Sequence, residues 1–214
     1  MLQLLQVGKH CILDDLPGQR MSQIIRDGIT YSLTHLASEL IGGVPMMDHA
    51  GMEFKRHVFV VYSCHCYTTG ETAGIPFDVP AKEVIWDGRW RRKFCPQRHG
   101  LSLILPGVVR QLLFSPHAHV WDTGKGNRHY HELIATPNMA AAQPYYLFMR
   151  IERQKLEDGP HVIKMAVESA YLIEPPDPSP HARDPLLMSE WLGKTWAPPS
   201  PGILKNKNKN KRKK

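Results

Sequence analysis

Apolar residues at Ile24, Ile25, Ile29, Leu33, Leu36 and Leu40 recur at a spacing that lines one face of a helix, with Ile41-Gly42-Gly43 as a stop signal. The pattern predicts an amphipathic helix over residues 21–40, in which His35 is a packing or surface residue. At residue 54 the period changes to two. In "FKRHVFVVYSCHCYTT" the alternation places Phe59, Val61, Ser63 and His65 on one face of a strand and Val58, Val60, Tyr62, Cys64 and Cys66 on the other. "EVIWDGRW" adds an extended piece with an Asp-Gly turn. "FCPQRHGLSLILPGVVRQLL" then starts a helix near Pro96 that Pro106 kinks or restarts, with Leu101, Leu105, Val109 and Leu112 as its apolar face.

After Pro116 strand patterns dominate. "HAHVWDT", "RHYHELIAT", "YYLFMRIERQ" and "HVIKMAVESAYLIE", separated by turn signals, read as four consecutive antiparallel strands. Ile163, Met165 and Val167 mark the core face of the last one, and unbroken alternation carries Ser169 and Tyr171 onto that face. Helices first and strands afterwards predict an α+β fold, with N-terminal helices packed on a four- to five-stranded antiparallel sheet.

Length adds one limit: 214 residues fit one domain with extensions. We divide the chain into a lead-in at 1–20, the α+β domain at 21–174, a Pro-rich extension at 175–204 and a basic tail at 205–214. Trp191 and Trp196 of the extension are expected to dock on the sheet. The tail holds six Lys and one Arg; subtracting these seven from 27 Lys+Arg leaves 20, against 20 Asp+Glu. The body is therefore neutral, and the positive charge describes a solvated tail that attracts nucleic acid without regard to sequence. Cys11, Cys64, Cys66 and Cys95 are too few for a disulfide scaffold at this length. With no apolar run long enough to span a membrane and no signal-peptide pattern, the expectation is a soluble cytoplasmic protein.

Two sites compete at the start of the helix near Pro96. Cys64, Cys66, Cys95 and His99 carry the ligand types of a tetrahedral zinc site, although Cys-x-Cys on a straight strand spreads the two sulfurs. Arg98 and His99 instead offer a phosphate-binding guanidinium and a proton carrier. Arg91 and Arg92, with Lys125 and Arg128 on the following hairpin, are either a solvated cationic face or further anion-binding cations, which the resemblance given next would make RNA-binding.

The order of "CHCYT", "DGRWRRKFCPQRHGLSLILPGVVRQLL", "YYLFMRIERQ" and "VESAYLI", over residues 54–173, resembles a bacterial family labelled stationary phase growth adaptation protein and found on mobile elements. The layout is also remotely similar to the barnase- and RelE-like ribonucleases, several of them toxins. That likeness implies RNA cleavage without a metal or other cofactor, with His99 as acid or base, Arg98 and Arg128 as phosphate clamps, and Ser169 and Tyr171 as phosphate hydrogen-bond partners. The alternatives are a zinc-stabilised binding module and a non-catalytic, growth-modulating protein that holds an acidic protein partner.

Overall fold

A computed structural model describes residues 22–71, 76–87, 90–123, 128–133, 145–156, 159–172 and 185–197. The lead-in at 1–20, Lys125, residues 175–184 and 198–204 of the Pro-rich extension, and the basic tail lie outside the described residues, as does the side chain of Arg128.

The first elements are a hairpin, which corrects the predicted N-terminal helix. Strands β1 (Gln23–Arg26) and β2 (Ile29–Ser32) pair antiparallel across Asp27 and Gly28. Both loop residues have positive φ, 51° and 75°, the left-handed pair that a two-residue hairpin loop requires. The Asp-Gly dipeptide therefore outweighs the helix-like spacing of the isoleucines, and Ile25 and Ile29 end up about half-exposed. Gly28→Ala is expected to cost about 1 kcal/mol, the steric penalty of a Cβ in the left-handed region, read as a lower urea midpoint with an unchanged slope.

The remaining strands are β3 (Glu39–Met47), β4 (Glu53–Tyr62), β5 (Thr68–Gly70), β6 (Ile85–Trp86), β7 (Arg91–Phe94), β8 (His119–Asp122), β9 (Arg128–Leu133), β10 (Tyr145–Lys155), β11 (His161–Leu172) and β12 (Leu186–Leu187). The helices are α1 (Pro96–Ser102), α2 (Leu105–Phe114) and α3 (Met188–Trp196). A seven-stranded sheet runs in the order β12-β8-β9-β10-β11-β4-β3, and a smaller sheet in the order β5-β7-β6. The predicted four- to five-stranded antiparallel sheet is thus corrected to a larger, mixed one. β8 to β11 do form consecutive antiparallel pairs, but β4 joins β11 in parallel, with Ile163 opposite Val58 and Val167 opposite Tyr62.

One face of the large sheet buries Val58, Val60, Ile163, Met165, Val167, Leu147, Met149 and Ile151 against Leu105, Val109 and Leu112 of α2. Fully burying each such side chain stabilises the fold by about 1.5–3 kcal/mol. Pro106 lies in the first turn of α2, and Leu103-Ile104 separates the two helices, so the central helix is bent as its proline demands. The C-terminal piece is part of the same core. β12 pairs with β8, Trp191 stacks on His129 with ring centroids 4.0 Å apart, and the Arg56 and Arg153 guanidinium groups each lie over the Trp196 ring at 5.0 Å.

A bulge in β11 alters the predicted faces. Met149 is opposite Val167, yet Phe148 is opposite Ser169, leaving Glu168 as an extra residue. Alternation is reset by one. Ala170 is then the buried core residue, while Ser169 and Tyr171 stand with Phe148 and Tyr146 on the sheet's other face. Their predicted place on the Val167 face is corrected accordingly.

Candidate functional site

Strand β4 ends at Tyr62 because Ser63 uses its side chain to turn the chain. The Ser63 hydroxyl donates to the Glu168 carbonyl, and its Oγ accepts the His65 N–H at 3.1 Å. A 3-10 turn follows over Cys64–Cys66, closed by the Tyr67 N–H donating to the Cys64 carbonyl at 3.1 Å. Cys64 and Cys66 are buried in this turn, whereas His65 remains partly exposed. The predicted straight Cys-x-Cys strand is therefore corrected to a turn.

His65 Nε2 lies 2.8 Å from Asp87 Oδ2, across 22 residues of sequence. The β6–β7 turn delivers that carboxylate. Asp87 donates its N–H to the Trp90 carbonyl at 3.3 Å, and its Oδ1 accepts the Trp90 N–H at 2.7 Å. The Asp87 side chain is 8% exposed against 36% for His65, so a buried carboxylate orients an accessible imidazole. An ionised carboxylate only accepts, so Nε2 carries the proton and Nδ1 keeps its lone pair.

Two guanidinium groups flank the pair. Buried Arg92 lies 3.7 Å from Asp87 Oδ2 and donates from Nε to Thr68 Oγ1 at 2.7 Å and from Nη2 to the Thr68 carbonyl at 3.2 Å. Thr68 in turn donates its hydroxyl to the Cys64 carbonyl at 2.7 Å. Gly70 leaves room for Arg92, since a Cβ there would come within 3.3 Å of Nη1. Arg98, in α1, donates from Nη1 to the carbonyls of His65 at 3.2 Å and Thr68 at 3.1 Å, and its Cζ lies 4.9 Å from the Tyr171 ring centroid. The turn is thus held by two arginines that share the Thr68 carbonyl as acceptor.

Burial and then the Arg92 charge outweigh the Asp87 carboxylate and hold the His65 pKa below its ordinary value. His35 is lowered too, by burial first and by neighbouring His99 second. Both imidazoles are mainly neutral at pH 7. The unfolded chain consequently binds protons more readily than the native one as the pH falls below about 6.5. Urea stability is expected to decline on acidification from that point, and His35→Gln should flatten part of the decline.

The structure brings Arg98 to Tyr171 and turns His99 elsewhere. Neighbours on a helix diverge by about 100°. His99 is 9% exposed, with Nε2 2.8 Å from the Ser32 carbonyl and its ring against Tyr31, Phe94 and His35 beneath the β1–β2 hairpin. His35 Nε2 is 2.8 Å from Ser102 Oγ, whose hydroxyl donates to the His99 carbonyl. Ser169 follows the Tyr171 face of β11. Arg91 projects opposite Trp86, bonds Glu71 and covers Phe77, whereas Arg92 is internal.

The zinc set of Cys64, Cys66, Cys95 and His99 does not gather. Among the described residues no three His, Cys, Asp or Glu side chains are placed to hold a metal ion. The Cys66 Sγ, inside the buried turn, points instead to the Val167 carbonyl at 3.7 Å. His65, Asp87 and Thr68 were missing from the sequence-derived site. The Asp-Gly turn was visible, but its pairing with "CHC" was not.

A mostly β protein, its mixed sheet covered by one bent central helix and a short C-terminal one and carrying a His–Asp pair at the carboxyl end of a parallel strand pair, is the class these features define. The YjaZ family model matches residues 23–192, from β1 into α3, and the chain belongs to the YjaZ family. No curated protein and no solved structure matches it. Among the described residues, no helix is long and apolar enough to cross a membrane.

Proposed function

We propose that this YjaZ-family protein is a metal-independent endoribonuclease whose acid–base group is His65. The observation that carries the reading is the partly exposed, neutral imidazole held by buried Asp87 beside two arginines. His65 Nδ1 accepts the proton of a ribose 2′-hydroxyl. The 2′-oxygen then bonds to the adjacent phosphorus, the P–O5′ bond breaks, and the departing 5′-oxygen takes a proton from solvent. Arg98 supplies positive charge to the phosphorane through the guanidinium edge not used on the two carbonyls, and Tyr171 and Ser169 supply hydroxyls on the adjoining face. Arg92 acts indirectly, by fixing Asp87 and Thr68.

Limited RNA cutting is a means of restraining growth, which agrees with the stationary-phase resemblance in the sequence. Arg91, Lys125, Arg128 and the basic tail would add contacts to the RNA backbone. Incubating the full chain with end-labelled RNA in EDTA tests the reading. Products ending in 2′,3′-cyclic phosphate are expected. Intact RNA under these conditions, or cleavage that EDTA abolishes, would overturn it.

A further inference from the structure

The β6–β7 turn carries more than the carboxylate of the His–Asp pair. Trp86 and Trp90, on either side of Asp87, are 52% and 60% exposed, an unusual cost for two indoles in one short turn. Their places follow from the pairing. Ile85 is opposite Arg92 and Trp86 opposite Arg91; beyond them the Asp87 N–H donates to the Trp90 carbonyl, while the Trp90 N–H turns to the Asp87 carboxylate. Residues directly opposite share a face, so Trp86 stands on the face of Arg91, and Trp90 is fastened to Asp87 by the two bonds across the turn. One exposed tryptophan is thus bonded through its backbone to Asp87 of the His65–Asp87 pair, and a second directly precedes Asp87 in the same turn.

We infer that Trp90, continued by Trp86, is a base-stacking subsite for single-stranded RNA beside His65. The inference rests on the ribonuclease reading of the neighbouring site and names the form of RNA it takes. Aromatic faces next to guanidinium groups are the combination that holds unpaired strands, because every base has a π-face and every linkage a negative phosphate. Here Arg98 donates to the His65 carbonyl, and Arg91, its side chain 48% exposed and its Nε on Glu71, is directly opposite Trp86 with the other edge of its guanidinium left for a phosphate. A duplex keeps its bases stacked inside and offers the indoles nothing. A single strand passing over the turn can place one base on Trp90, which sets its neighbouring phosphate near His65, and another base on Trp86. Attachment of the turn to the catalytic pair also means that stacking on Trp90 holds Asp87 in place.

The test uses the full chain and two short 2′-O-methyl probes, which cannot be cleaved for lack of a 2′-hydroxyl. One is an oligouridylate, and the other is an abasic ribose-phosphate oligomer of the same length and charge. Binding followed by fluorescence anisotropy should favour the base-bearing probe. Trp90→Ala should weaken that probe by roughly 5- to 150-fold, the range for loss of one stacked base, and leave the abasic probe unchanged; Trp90→Phe should recover part of the loss. The basic tail contributes equally to both probes and cancels. Wild-type binding that ignores the bases, or a Trp90→Ala protein that still distinguishes them as the wild type does, would overturn the subsite. Base-dependent binding through Trp90 in a protein that never cuts RNA would uphold stacking and sink the ribonuclease reading; cutting without base preference would do the reverse.

Discussion

Gly193→Ala is expected to release helix α3 from the sheet and lower the melting temperature by roughly 10 °C. A Cβ at Gly193 would lie 1.8 Å from the Met47 carbonyl oxygen and 2.6 Å from its carbon. Both atoms are backbone in β3, so no side-chain rotation relieves the clash. Either β3 or the helix must move, and the helix carries buried Met188, Trp191 and Leu192. Alanine normally favours a helix over glycine by about 1 kcal/mol, but overpacking against fixed backbone costs about 1–3 kcal/mol or more and partial loss of those apolar contacts adds to it. A net loss near 3 kcal/mol corresponds to about 10 °C for a domain of this size. Lys194→Ala, at the neighbouring exposed position, should change little. An unaltered melting temperature for Gly193→Ala would mean that α3 does not pack on β3 through this glycine.

Local patterns were legible wherever a strand kept its alternation and a turn its signature residues. Ile163, Met165 and Val167 are core residues as their spacing implied, Pro106 divides the helix, and Asp87 turns the chain before β7. Failure came where one local signal masked another. The isoleucines of residues 24–29 satisfy a helical spacing by coincidence, and the positive φ of Asp27 and Gly28 decides for a hairpin. It also came where one residue broke a period. Glu168 bulges out of β11 and sends Ser169 and Tyr171 to the other face, without any glycine or proline to announce it. Long-range pairing was the third obstacle. β4 and β11 lie side by side although Val58 and Ile163 are far apart in sequence, and only that pairing brings the end of β4 to Arg98 and Tyr171. Arg98 could be named from its residue type. His65 could not, because its partner Asp87 is set by the small sheet, and the more conspicuous His99 packs under the hairpin.

His65→Ala is expected to reduce RNA cleavage by about 10²- to 10⁴-fold, the usual contribution of a positioned acid–base group. The side chain is 36% exposed and its removal leaves no hole in the core, so the variant should fold. Asp87→Asn should lose a smaller part, since an amide no longer fixes the protonated Nε2 or balances Arg92. Wild-type activity should hold as the pH falls to about 6.5 and be lost only under more acidic conditions, because protonation consumes the Nδ1 lone pair and the His65 pKa lies below its ordinary value. His99→Ala should act differently. It removes a buried ring bonded to the Ser32 carbonyl and is expected to cost about 1–3 kcal/mol of stability while leaving cleavage by the folded protein nearly intact.

The deciding measurement is the single-turnover cleavage rate of one labelled RNA, in EDTA at pH 7, by the wild-type, His65→Ala and His99→Ala proteins, each shown to be folded. Cyclic-phosphate products are expected from the wild type and His99→Ala at similar rates, with a rate at least about 100-fold lower from His65→Ala. Equal rates for the wild type and His65→Ala would contradict the catalytic role of His65.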